Sequence, residues 1–139
     1  MAIFDIKGNG LLDLKKIDSE PPVAKNITIK SLSANRVSIQ LDLDIDGNGT
    51  YRTTTITAYG QFSPTVDGEV DGTVTRIELE TDDNYLNIEI KDFTASIGEF
   101  ISFKDDEPAL RALGLSLLNS SDVINGSNNG GSLIARLYD

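Results

Sequence analysis

Oxygen-bearing side chains recur at alternate positions between Asp42 and Thr50, in the stretch DLDIDGNGT. Asp44, Asp46 and Asn48 stand two residues apart, and a glycine then allows the chain to turn sharply. Alternate oxygen ligands around such a turn can surround one Ca²⁺ at about 2.3–2.6 Å. The sequence therefore predicts a weak calcium site built on these three residues. Asp42 and Thr50 are further candidate ligands.

An ordinary hairpin turn accounts for the same residues. The stretch matches the opening of an EF-hand loop, but Arg52 and Thr55 occupy the ninth and twelfth positions, where that loop needs ligands. Asp42 and Asp44 also alternate with apolar residues, as on the solvated face of a strand. Asp-Gly and Asn-Gly pairs favour tight hairpin turns. The calcium loop and the plain turn both stay open at this point.

The composition excludes several kinds of chemistry. The chain of 139 residues has no cysteine and no histidine, which removes disulfides, thiolate metal sites and the usual general base. Twenty-two acidic and twelve basic residues give a formal net charge of −10. Such a field repels phosphate backbones and anionic lipids. We therefore expect no nucleic-acid partner and no membrane insertion, and a protein or surface of unknown identity as the partner.

Paired carboxylates leave a carboxylate-based hydrolase as one alternative function. The pairs are Glu78/Glu80, Asp82/Asp83 and Asp105/Asp106. Enzymes of this kind that act on sugars commonly use aromatic platforms, whereas this chain has four tyrosines, five phenylalanines and no tryptophan. The sequence leaves enzymatic activity open, favours a non-enzymatic protein and identifies no catalytic residue.

Alternating apolar and polar residues predict β-strands along most of the chain. Short turns rich in Asp, Asn and Gly separate them, which favours antiparallel neighbours in a meander. A slip in the fourth of these strands is expected at Asp71-Gly72. The predicted strands are Val23–Leu32, Arg36–Ile45, Tyr51–Phe62, Glu69–Thr81 and Tyr85–Ser96, and residues 3–6 and 11–17 add an N-terminal hairpin.

One segment has the spacing of a helix. Acidic residues and Pro108 precede Leu110, Leu113 and Leu117, a typical helix start followed by an apolar stripe. This pattern predicts an amphipathic helix over about 106–119, packed on one face of the sheet.

The sequence thus predicts an α+β fold, an antiparallel meander of about five to seven strands with one C-terminal helix. Residues 1–120 are expected to form this single domain. Residues 121–139 are rich in Gly and Asn and are expected to be a degenerate repeat or a tail.

The C-terminal stretch NSSDVINGSNNGGSLIARLY begins a nine-residue cadence with Asp122, Ile124 and Gly126. Gly131 stands where the next aspartate of that cadence is expected. Together with the leucine-rich segment before it, the stretch resembles the junction at which secreted proteins of the RTX (haemolysin-type calcium-binding) class enter their glycine-rich repeats. The resemblance implies calcium held in the turns of a parallel β-roll, with Asp122 as the one matching ligand. It also implies export by the type I pathway.

The start of the chain, MAIFDIKGNG, lacks the basic and apolar regions of a cleavable signal peptide. We therefore expect a secreted or cell-surface protein exported by a route independent of such a signal, with a cytoplasmic location as the alternative. The expected function is a non-enzymatic extracellular binding or structural module of an RTX-type exported protein. A self-associating surface or assembly protein is a further alternative, and it predicts a bare edge strand or an uncovered apolar face.

A second resemblance involves Tyr59-Gly60-Gln61-Phe62. With the strand and leucine-rich segment that follow, it is similar to the middle of bacterial haemophores, which are type I-exported α+β proteins with a curved antiparallel sheet. In that family a loop tyrosine and a histidine ligate haem iron. This chain has no histidine, and Tyr51 is only a loosely placed counterpart of the tyrosine. The similarity supports the fold more than the cofactor.

Overall fold

A computed structural model describes residues 3–7, 11–13, 23–44, 49–64, 70–99, 123–125 and 132–134. The helix predicted over 106–119 lies outside these residues. The strands, in chain order, are β1 (Ile3–Lys7), β2 (Leu11–Asp13), β3 (Val23–Leu32), β4 (Arg36–Asp44), β5 (Arg52–Pro64), β6 (Val70–Thr81), β7 (Asn87–Lys91), β8 (Ala95–Ser96), β9 (Val123–Asn125) and β10 (Ser132–Ile134).

Most of the described strands form one sheet, in the order β3-β4-β5-β6-β7-β1-β9, and β8 pairs separately with β6. From β3 to β7 the strands follow one another as antiparallel neighbours, and β1 lies antiparallel to β7. The predicted antiparallel meander is therefore confirmed. The described part of the chain contains no α-helix, and a 3₁₀ turn at Ile97–Glu99 follows β8. No helix in that part has the length and apolar character needed to cross a membrane.

Cross-strand rows of apolar side chains form the buried face of the sheet. One row crosses five strands, and each of its residues faces the next in the order Ile39, Ile56, Leu79, Ile88 and Ile6. All five side chains are buried. Burial of each is worth about 1.5–3 kcal/mol relative to exposure. A parallel row contains Val37, Ala58, Ile77, Ile90 and Phe4. The strict alternation along each strand produces this face, and it sends the polar residues to the other side.

The N-terminal strands β1 and β2 do not form the predicted hairpin, because they belong to different sheets. Residues Ile3–Asp5 of β1 pair in parallel with β9, and β2 pairs in parallel with β10. Segments near the two ends of the described chain therefore pair at two places. β1 pairs with β9 at the edge of the main sheet, and β2 pairs with β10 in a separate two-stranded sheet.

The register of β5 and β6 slips once, at Tyr59 and Gly60 rather than at the predicted Asp71-Gly72. Tyr59 faces Arg76 and Gly60 faces Val74, so one extra residue of β6 bulges. A Cβ atom at Gly60 would stand 1.9 Å from the carbonyl oxygen of Thr73. Glycine is required at this point because the two backbones come so close.

Candidate functional site

The carboxylate of Asp44 closes the turn between β4 and β5. Its Oδ2 accepts a hydrogen bond of 2.8 Å from the amide of Gly49, and its side chain is only 5% exposed. Gly49 has a φ of 84°, which glycine adopts without strain. This is the bond expected of a hairpin turn, and calcium binding by the same carboxylate stays a prediction.

The other predicted calcium ligands are not all described. Asp42 lies half-buried on the polar face, where its Oδ2 accepts 2.8 Å from the side-chain amide of Asn26. Thr50 is exposed. Asp46, Asn48 and Asp122 lie outside the described residues. Within the described ranges, no three acidic, histidine or cysteine side chains are grouped so that they could hold a metal ion.

The polar face of the sheet carries a pocket that the sequence pattern does not reveal. Asp5, Glu89 and Glu78 are register partners on three adjacent strands, β1, β7 and β6. They form one side of a pocket of about 290 Å³. Its full lining, which we call the polar-face pocket, is Asp5, Lys7, Glu78, Glu80, Asn87 and Glu89.

Two cations bridge these carboxylates. Arg76 forms ion pairs with Glu78 and, at 2.8 Å, with Glu89. Lys91 lies 3.6 Å from a carboxylate oxygen of Glu89 and 3.6 Å from one of Asp5. Slight burial lowers the pKa of Arg76, but Glu78 and Glu89 outweigh it and raise that pKa above its ordinary value. Like charges directly opposite on neighbouring strands are destabilising, and these two cations offset that repulsion.

The polar-face pocket gives the alternative hydrolase a concave site with converging carboxylates, at Glu78 and Glu89. A general acid of that mechanism is kept protonated by an apolar, desolvated surrounding. Glu89 is instead 28% exposed and forms ion pairs with Arg76 and Lys91. The carboxylates of the polar-face pocket therefore form a network of ion pairs with Arg76 and Lys91. Of the other predicted carboxylate pairs, Asp82/Asp83 does not line the pocket, and Asp105/Asp106 lies outside the described residues.

A second ionic contact organises the loop between β6 and β7. Asp83 accepts 3.1 Å hydrogen bonds from Arg52 Nε and from the amide of Tyr85. Arg52 also lies 3.6 Å above the ring of Tyr85. Burial acts to raise the pKa of Asp83, but the hydrogen bond from Thr81 and those two contacts outweigh it and lower that pKa.

The tyrosines of the haemophore-like pattern both lie beside cations. The Lys25 ammonium is 3.8 Å from the ring centre of Tyr51, and the Arg76 guanidinium is 5.0 Å from that of Tyr59. Such cation–π contacts stabilise the surface without any cofactor. Haem binding stays an expectation from the resemblance.

The sequence pattern singles out only part of the polar-face pocket. It identifies Glu78 and Glu80 as paired carboxylates, but it does not indicate Asp5 or Glu89 as their neighbours. Alternation along β7 already assigns Glu89 to a polar face. The missing information is that β1 lies beside β7, a pairing across more than eighty residues of chain.

Comparison with protein-family models, with curated proteins and with solved structures finds no match to this chain.

Proposed function

We propose that the chain is a non-enzymatic extracellular binding or structural module of an RTX-type exported protein. The observation that carries the proposal is the parallel pairing of β9 with β1 and of β10 with β2. Val123 and Ser132 begin β9 and β10 nine positions apart, which is the period of the calcium-binding nonapeptide repeat. Each strand runs parallel to its neighbour, as stacked strands of a β-roll do.

The N-terminal strands support the same interpretation. β1 and β2 begin at Ile3 and Leu11, eight positions apart, close to the spacing of β9 and β10. They supply a matching pair of short strands against which the repeat-like segment lies. The proposal treats residues 121–139 as a degenerate repeat that follows the domain of residues 1–120.

The proposal includes the amphipathic helix over 106–119. Its leucine stripe is the matching partner for the apolar rows of the sheet, because a sheet face of this kind must be covered by another layer. Together they give the α+β domain.

Weak calcium binding at the β4–β5 turn is a further part of the proposal. Asp44 is held in place by its bond to Gly49, and Asp46, Asn48 and Thr50 supply further oxygen atoms in the same turn. With few acidic ligands, we expect a dissociation constant of roughly 0.1–1 mM, as in extracellular calcium modules.

A calcium titration followed by amide NMR tests this site. Ca²⁺ should shift the Gly49 and Thr50 amides, and Asp44→Asn should weaken binding by about tenfold or more because it removes a charged ligand. Glu80→Gln is the matched control, since it removes one charge from the same polar face two strands away, in β6. Unmoved Gly49 and Thr50 amides at millimolar Ca²⁺ would refute the site.

Mass spectrometry of the culture medium of the source organism tests the export route. The expected result is the chain in the medium, with a peptide that contains residues 2–7 still present. Deletion of the type I exporter genes should retain it in the cells. Recovery of the chain only from the cell lysate of the unmodified organism would contradict the proposal.

The polar-face pocket favours one second candidate, the carboxylate-based hydrolase. On that alternative, purified protein should hydrolyse a substrate from a panel of nitrophenyl glycosides and esters, and Glu89→Gln should abolish the turnover. Asp92→Asn, an exposed carboxylate outside the pocket, is the control. Absence of turnover across the panel favours the binding module.

A further inference from the structure

The polar face of the sheet divides into a charged part and an uncharged part. Carboxylates and cations occupy this face on β6, β7 and β1, where the polar-face pocket lies. On β3, β4 and β5, two cross-strand rows carry neither charged nor apolar side chains. We call these rows the uncharged patch, and they are Ser31, Ser38 and Thr57 in one row and Thr28, Gln40 and Thr55 in the other.

The register places all six side chains of the uncharged patch on one face. Ser38 and Gln40 alternate along β4 with the buried Val37, Ile39 and Leu41. Residues directly opposite in an antiparallel pair point to the same side, so their partners on β3 and β5 lie beside them. Neighbouring strands are about 4.8 Å apart, and two residues along a strand span about 6.8 Å. The uncharged patch is therefore a grid of hydrogen-bonding groups at regular spacing.

The polar groups of the uncharged patch are not used within the described fold. In β5 and β6, the hydroxyls of Thr54, Thr75 and Thr81 each donate a hydrogen bond to a backbone carbonyl. Among the described residues, no such bond is found for any side chain of the uncharged patch. Thr28 is exposed and the other five are half-buried, so solvent reaches them all. Each hydroxyl keeps one donor and its acceptor sites for a ligand.

The chemistry of the uncharged patch favours a neutral ligand, although the chain as a whole has a net charge of −10. Charged residues begin only one row away, with Arg36 on one side and Asp42 on the other. A charged ligand would form no ion pair with the six side chains. A ligand rich in hydroxyl groups would instead replace the hydrogen bonds that these side chains make to water with equivalent ones.

Tyr59 adds an aromatic ring at the border of the uncharged patch. It follows Thr57 on the same side of β5 and is half-buried. The Arg76 guanidinium lies 5.0 Å from the centre of its ring, a cation–π contact that restrains the ring. A tyrosine combines an apolar body with a hydroxyl that forms hydrogen bonds. This combination suits a sugar ring, which has an apolar C–H face and an edge of hydroxyl groups.

A protein partner suits the uncharged patch less well. Binding between proteins depends on a few large anchors in desolvated pockets, mostly Trp, Tyr and Arg. The six side chains of the patch include none of these. Polar groups that lose water without a matching partner weaken binding. A partner with hydroxyl groups along its whole length can match them all.

We propose that the uncharged patch binds a neutral polysaccharide. Hydroxyl groups of successive sugar units form hydrogen bonds with the six side chains, and one sugar ring packs against Tyr59. The inference gives the binding module proposed above its ligand class and rests on that role.

Affinity electrophoresis of the purified full-length protein tests the proposal. The gels contain dextran, laminarin, hydroxyethylcellulose, mannan or arabinoxylan. We expect at least one of these neutral polymers to retard the protein. Amide NMR with short oligosaccharides of that polymer should show saturable shifts confined to residues 28–40 and 53–59. No retardation by any neutral polymer, or shifts elsewhere, would overturn the proposal.

Substitutions of similar shape separate hydrogen bonding from packing. Thr55→Val with Thr57→Val removes two hydroxyls, and valine suits a strand. This double variant should fold and bind about tenfold more weakly or worse, whereas Thr55→Ser with Thr57→Ser should bind normally. Thr73→Val, at an exposed threonine of β6 outside the patch, is the matched control. Unchanged amide positions away from the substitutions verify the fold. Full affinity of the valine double variant would refute the assignment.

Two further outcomes would assign the uncharged patch to another ligand. Retardation by the acidic polymer alginate alone would indicate a charged ligand. Inhibition of ice-crystal growth without binding of any polysaccharide would indicate a lattice of ordered water. Either result would overturn the proposal.

These measurements do not depend on export. A chain that binds a polysaccharide but stays in the cells would contradict only the proposed function. An exported chain that binds none would contradict only the present inference.

Discussion

At the scale of single residues, the closest backbone contacts of this sheet allow only glycine. Gly60 lies against Thr73, and Gly72 lies against Gln61 with a φ of 146°. A Cβ at Gly72 would stand 2.1 Å from the Gln61 carbonyl oxygen. Gly60 faces Val74 and Gly72 faces Phe62, so both glycines lie in one short region where β5 and β6 pair. Their identity is therefore fixed by strand pairing and not by a turn.

Gly60→Ala should be strongly destabilising, because the added methyl group meets the Thr73 carbonyl at 1.9 Å and the strands must separate. We expect a loss of about 3 kcal/mol or more in the free energy of unfolding. Urea denaturation measures it. Gly98→Ala is the control, since its nearest contact is Ser96 Oγ at 3.7 Å, and it should change stability by less than about 0.5 kcal/mol. Similar losses in the two variants would contradict this account.

Asp83 should contribute an acid-sensitive term to stability. Its pKa is lowered in the folded state from an ordinary value of 3.8, so its contribution is complete above that value and is lost as the pH falls through the lower folded pKa. Because the side chain is 54% exposed, the term is small, under about 1 kcal/mol.

Comparison of the unfolding free energies of the wild-type protein and Asp83→Asn at pH 7, 5 and 2 tests this term. The difference should be present at pH 7 and 5 and shrink at pH 2. Asp92→Asn is the matched control because it changes the same side chain in another loop. A difference that grows on acidification would show the opposite sign of linkage.

At the scale of the elements, alternation is enough to locate the strands β3 to β6. β3 spans Val23–Leu32, as the pattern predicts, and β4 differs from its predicted range by one residue. Periodicity does not reveal which residues of β3 are buried. Ile29 has the same apolar character as Ile39 and faces it directly, yet it is exposed because β3 is an edge strand of the sheet.

Alanine substitutions measure this difference between edge and centre. Ile39→Ala should cost about 2–5 kcal/mol in the free energy of unfolding, because it leaves a cavity in a row that spans five strands. Ile29→Ala should cost less than about 1 kcal/mol, since the side chain is 40% exposed. Chemical denaturation of both variants provides the measurement. Equal costs would show that the edge strand is covered in solution.

At the scale of the whole molecule, segments near the two ends of the described residues pair with each other. β9 pairs with β1 in the main sheet, with Val123 opposite Ile3. The loop closed by this contact contains nearly the entire chain, so its formation costs more entropy than any local hairpin. We infer that the terminal pairing is completed late in folding, after the local antiparallel pairs.

A disulfide between Ile3→Cys and Val123→Cys should capture this pairing, since neighbouring strands lie about 4.8 Å apart, within the Cα range of a disulfide. The chain has no other cysteine. Oxidation should raise the free energy of unfolding by up to about 4–5 kcal/mol because the loop is so long. The reduced double variant is the control. Failure to form the disulfide in the native protein under mild oxidation would contradict the register.

The amino-acid sequence by itself locates the strands β3 to β6 to within about two residues, and it determines the absence of thiol and imidazole chemistry. It also determines the acidic field and the repeat-like cadence near the C-terminus. These properties depend on residue type and local spacing, which can be read along the chain. The tertiary structure alone decides that β1 joins the sheet beside β7, that three carboxylates meet two cations there, and that Ile29 and Leu32 remain exposed. The first two depend on contacts between residues far apart in sequence, which local spacing does not encode. The exposure of Ile29 and Leu32 depends on the position of β3 at the edge of the described sheet.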